Sequence, residues 1–184
     1  MMMFVTAAWA DPSPKLSCEV LAERFAAIRL PERPKAPTYW WLEQDPCPGG
    51  ALGGPPPPAA SQVWCAGSEG QRTGPSTTLS ADLKVMTETR YYRDTELGPR
   101  IDWNPATGQA VAYTPYRGDV PHGIALEWSD SGTVAHRLRK GVNDGPTWKV
   151  NQRGGIEFIE YWSAGDRLSR NCAWRDGALV IDVP

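Results

Sequence analysis

The chain has 184 residues, 41% hydrophobic, with a formal net charge of -2 and no lysine or arginine run. Its length suits one folded domain, and it lacks the basic field that draws nucleic acid. Eighteen glycines and eighteen prolines accompany nine tryptophans, a composition rich in turns and flat aromatic surfaces that favours short strands over long helices.

Residues 1–10 are apolar and end in Ala8-Trp9-Ala10 before Asp11. This is the small-x-small form of a signal-peptidase site, so the segment reads as a truncated signal and the protein as periplasmic or extracellular. Without a signal the same chain would be cytoplasmic. No other stretch approaches the ~20 apolar residues of a membrane span. In residues 11–30, Cys18, Leu21, Phe25 and Ile28 recur at helical spacing behind Ser17, a good N-cap, and Pro31 stops the run. The spacing predicts an amphipathic helix that lays its stripe on a sheet.

Residues 31–63 read as a proline- and glycine-rich linker, with Cys47-Pro48-Gly49-Gly50 and the run Pro55-Pro56-Pro57-Pro58. Tyr39-Trp40-Trp41-Leu42 interrupts it. Bulky aromatics left in water would form an unusual apolar patch, so this part is expected to fold back onto the body.

Residues 64–184 carry repeats. Anchor glycines stand at Gly74, Gly98, Gly123 and Gly145, spaced 24, 25 and 22 residues apart, a period that marks a repeat architecture. Proline follows three of them, and Leu79, Trp103, Trp128 and Val150 stand five positions on. Gly108, Gly132 and Gly154 close three units. Alternation places Ile101 with Trp103, Leu126 with Trp128, and Trp148 with Val150 on one buried strand face. Each unit is then a β-hairpin. Lone hairpins are marginal in water, so the units are expected to stack edge to edge. The fold class is all-β, an antiparallel meander of repeated β-hairpins with one N-terminal α-helix, covered by that helix and by the aromatic stretch at 39–42.

Four cysteines in such a chain favour two disulfides over a metal site, since no Cys-x-x-Cys pair exists and His122 and His136 are the only imidazoles. Three pairings are open. Cys47 with Cys65 and Cys18 with Cys172 is preferred, the first closing the proline-rich loop and the second tying the helix to a far strand.

The repeat resembles the MORN-repeat variant of the YwqK antitoxin-like family. The residues that carry the likeness are Thr73-Gly74-Pro75 with Leu79, Leu97-Gly98-Pro99 with Trp103 and Gly108, His122-Gly123 with Trp128 and Gly132, and Asp144-Gly145-Pro146 with Trp148 and Gly154. Val63-Trp64-Cys65 resembles the opening of such arrays in exported proteins of myxobacteria and their relatives. The likeness covers residues 63–174. Histidine precedes the anchor only once, Leu83 stands where the first turn glycine is wanted, and Val150 replaces an aromatic. The resemblance implies a non-enzymatic scaffold of the bacterial envelope with another protein as partner, or an antitoxin-like protein neutralising a toxin.

Catalytic patterns are sparse. His122 falls where the repeat itself places histidine, and His136 alternates with Val134 and Leu138 as a satisfied residue. Glu157 and Glu160 could form an acid pair with Asp102 or Glu127, and Arg90, Arg137, Arg139 and Lys149 could line a basic stripe. Scattered charges are expected on a wet sheet face in any case. No catalytic residue, cofactor or metal is therefore expected. Tyr113, Tyr116, Tyr161 and Trp162 lie in strands whose two faces both carry aromatics, which makes them candidate exposed binding residues. A glycan or cell-wall ligand is the alternative they suggest.

Overall fold

A computed structural model describes residues 16–183, so the signal-like segment at 1–10 lies outside the described residues. After helix α1 (Cys18–Ala26) come β1 (Ala51–Leu52), β2 (Gln62–Ala66), β3 (Arg72–Leu79), β4 (Val85–Tyr92), β5 (Thr95–Asn104) and β6 (Gln109–Arg117). They are followed by β7 (Gly123–Ser129), β8 (Gly132–Arg139), β9 (Val142–Asn151), β10 (Ile156–Ser163), β11 (Asp166–Arg175) and β12 (Ala178–Val183). All twelve strands form one sheet in chain order. This is the predicted meander. It starts earlier than residue 64, because the predicted linker contributes β1 and the start of β2.

Register sorts the residues into two faces. Val63, Thr77, Glu88, Ile101, Tyr113, Leu126, Ala135, Trp148, Ile159 and Cys172 are successive cross-strand partners from β2 to β11. This row runs down the covered face. Trp103 and Trp128 share that face and the core, as alternation predicted. Burying these rings removes several hundred Å² of apolar surface from water, the main favourable term in folding.

The cover is one continuous segment. Ser17 caps α1 by accepting from the Val20 amide at 3.4 Å. Leu21 and Phe25 are buried beneath the helix, and the Phe25 ring sits 4.9 Å from that of Trp148 on β9. The chain then crosses the face in reverse strand order. Arg33 Nε donates to the Ala110 carbonyl at 2.7 Å on β6, the Thr38 amide to Glu88 Oε1 at 2.9 Å on β4, and Trp40 Nε1 to Thr77 Oγ1 at 2.9 Å on β3. The proline-rich stretch is thus a strap across the sheet, with Trp40 turned inward and Leu42 outward at 74% exposure.

Disulfides pin both ends of the cover. Cys18 is bonded to Cys172 and Cys47 to Cys65, the preferred pairing. The first spans 154 residues, and in the chain-entropy model a crosslink over so long a loop contributes about 5 kcal/mol. Among the described residues no helix is long and apolar enough to cross a membrane.

The anchor glycines have positive φ, from +95° at Gly98 to +122° at Gly123, where side chains are strained. Leu83 adopts φ +60°, so the first turn keeps its left-handed geometry although glycine is missing.

Candidate functional site

No described helix crosses the other face, and of the strap only Gly53 and Gly54 reach it, against Trp64 at the β2 edge. Its central row is Thr78, Thr87, Asp102, Ala112, Glu127, Val134, Lys149, Phe158 and Ala173, again successive partners. Because side chains alternate between faces, the pleat that buries Leu126, Ala135 and Trp148 sends Glu127, Val134 and Lys149 outward. The row alternates charge with small or apolar surface. Its charges are locally paired: Lys149 Nζ lies 2.8 Å from Glu157 Oε2, and Thr87 Oγ1 donates to Asp102 at 3.3 Å.

A neighbouring row on this face sets His136 between two partners. Its Nδ1 lies 3.4 Å from Thr147 Oγ1 and its Nε2 3.5 Å from Glu127 Oε1. Hydroxyl, imidazole and carboxylate in sequence are the residue types of a nucleophilic relay. Thr147 is only 4% exposed, however, so its hydroxyl is held between strands and is not presented to a substrate.

Nearer the anchor glycines the same face holds a buried polar group. Glu96, 6% exposed, accepts from Thr89 Oγ1 at 2.6 Å, and Arg100 Nε approaches its carboxylate to 3.5 Å. Arg100 also stacks 5.3 Å from the Tyr116 ring centroid and donates to its hydroxyl at 3.2 Å. Arg72 stacks in the same way on Tyr91, at 4.4 Å. These contacts hold side chains still on a face that is otherwise open.

The predicted binding aromatics divide. Tyr161 is buried at 4% exposure and Tyr113 packs edge-on to Trp128 at 6.4 Å. Both point to the covered face, which corrects the expectation that they were exposed. Burial also raises the Tyr113 phenol above the ordinary tyrosine range. Tyr116 and Trp162 do lie on the uncovered face, half-buried. Glu157, Glu160, Glu127 and Asp102 are engaged by Lys149, Arg167, His136 and Thr87 respectively. The basic stripe does not form. Lys149 is on the uncovered face, Arg137 crosses Gly145, Arg139 pairs with Asp144, and Arg90 borders a groove under the strap. Among the described residues no group of three or more His, Cys, Asp and Glu could hold a metal ion.

Two features escaped the sequence reading. The Thr89, Glu96, Arg100 and Tyr116 group depends on a register shift between β4 and β5 that leaves no sequence signal. The second is a cleft of about 800 Å³ beside Trp174, framed by hairpin turns. The turn residues Asp130-Ser131 and Asp176-Gly177 were visible, but their approach in space was not. A second concavity, of about 500 Å³, lies under the strap and is lined by Trp40 and Trp103.

Compared with known proteins, the chain matches no protein-family model and no curated protein.

Proposed function

We propose that this is a non-enzymatic binding protein of the bacterial envelope, whose uncovered sheet face docks a partner protein. One observation carries the reading: a single segment covers one face, while the other presents a cross-strand row from β3 to β11 that no described helix or strap crosses. At about 4.8 Å per strand this surface is roughly 40 Å wide, the scale of a protein interface. Apolar Ala112, Val134 and Phe158 interspersed with paired charges resemble interface composition more than a bare solvated face. Two disulfides suit an oxidising compartment, which supports export. The likeness to MORN-type repeat scaffolds points the same way, since such sheets act through extended surfaces.

A photo-crosslinking residue placed at Val134 in native envelopes is expected to give discrete protein adducts. The same residue at Leu42, on the outer side of the strap, should give none. Phe158→Glu should abolish the Val134 adducts without changing the unfolding transition. Equal labelling from both positions would sink the reading.

A further inference from the structure

The turns joining β7 to β8, β9 to β10 and β11 to β12 stand side by side at the end of the sheet away from the anchor glycines, and they frame the 800 Å³ cleft. That volume lies within the range of small-ligand sites. Trp174 lines the cleft while also packing against the core, so its ring is held in place. Asp130 comes from the first turn, Arg153 from the second, and Arg175 and Asp176 from beside or within the third. The side chains of these four make no hydrogen bond or ion pair with any described residue. Glu157, the remaining charge in the lining, is taken by Lys149 at 2.8 Å. Gln152 Nε2 donates to the Asp130 carbonyl and ties two of the turns together, which lowers the cost of ordering them around a ligand.

Among the described residues these two carboxylates and two guanidinium groups are unpaired, and their charges cancel, so the cleft has no net field with which to select a phosphate or a cation. It offers acceptors, donor forks and an aromatic surface. Sugar hydroxyls both donate and accept, and the C–H face of a pyranose ring packs on an indole. We propose that this cleft binds a neutral oligosaccharide, with Trp174 as the stacking surface and Asp130, Arg153, Arg175 and Asp176 hydrogen-bonding its hydroxyls. The site involves no residue of the central row on the uncovered face and stands independently of the protein partner proposed there.

The test titrates the full chain with maltotetraose, cellotetraose and chitotetraose, followed by calorimetry and by indole N–H chemical shifts. At least one is expected to bind in the millimolar range or tighter, with an affinity that added salt leaves unchanged. Trp174→Ala should weaken it about tenfold. Asp176 has φ +52°, and Asp176→Asn retains a residue that tolerates that conformation, so a several-fold loss in this variant reports binding and not unfolding. Failure of all three sugars to bind, or binding that both variants leave intact, would overturn the proposal. So would a salt-sensitive preference for an acidic tetrasaccharide such as tetragalacturonate. The readout needs no protein partner, so its failure would leave the uncovered-face reading standing.

Discussion

Gly145 lies directly across the β9 to β10 pairing from Trp162, and the other anchors repeat the relation: Gly74 faces Tyr91, Gly98 faces Tyr116 and Gly123 faces Leu138. Each glycine has a positive φ and pairs with a leucine or an aromatic residue on the next strand. Gly145→Ala is expected to destabilise the fold by more than about 1 kcal/mol. Its φ is +119°, and an added Cβ would lie 2.7 Å from Arg137 Cδ. Denaturant unfolding of G145A, of Arg137→Ala and of the double variant separates the two causes, because the coupling between the two changes reports the clash.

Leu83 offers the opposite test. At φ +60° and 40% exposure it occupies a left-handed turn position that costs a side-chain-bearing residue about 1–2 kcal/mol. Leu83→Gly is expected to stabilise by about 1 kcal/mol after allowing for the freer unfolded chain. A lower urea midpoint in the variant would show that Leu83 contributes packing that the turn needs.

Trp148, at 0% exposure under Phe25, is the centre of the core. Trp148→Ala should cost about 3–5 kcal/mol. A double-mutant cycle with Phe25→Ala should show a coupling of about 0.5–1.5 kcal/mol beyond burial. Strictly additive losses would mean that the helix rests on the sheet without a specific ring contact.

The strap depends on one hydroxyl. Thr77→Val keeps the volume but leaves Trp40 Nε1, now bonded at 2.9 Å, without its acceptor, at a cost of about 1–3 kcal/mol. Hydrogen exchange should quicken at residues 38–43 while the strands under α1 stay protected. Uniform loss of protection would place the weakness in the sheet instead.

The raised Tyr113 phenol sets an alkaline limit. Below about pH 10, the ordinary tyrosine value, the neutral ring is common to the folded and unfolded states and the stabilisation is fully present. As pH rises past that value the unfolded chain ionises first, and stability falls until folded Tyr113 ionises too. Tyr113→Phe should flatten this alkaline slope in denaturation measured across pH.

Much of the architecture was legible because a repeat states the same constraint several times. The glycine and tryptophan spacing announced hairpins and a buried face, and of three open cysteine pairings the preferred one, which ties down a helix and a loop, is the one formed. Tyr161 and Tyr113 were misplaced for a local reason. In β10, Tyr161 and Trp162 are adjacent aromatics on opposite faces, and nothing in the dipeptide says which one faces the core. In β6, Tyr113 and Tyr116 are likewise split by parity.

The sequence by itself determined the hairpins, their order and the apolar stripe that required a cover, because strand period, turn glycines and helix caps are local properties of the chain. Only the tertiary structure decided that the proline-rich segment straps β6, β4, β3 and β2 in reverse order. It also decided that Glu96 meets Thr89 and Arg100, and that three turns gather around Trp174. Those relations join residues distant in sequence through register and sheet stacking, and a one-residue shift in register would send each side chain to the opposite face.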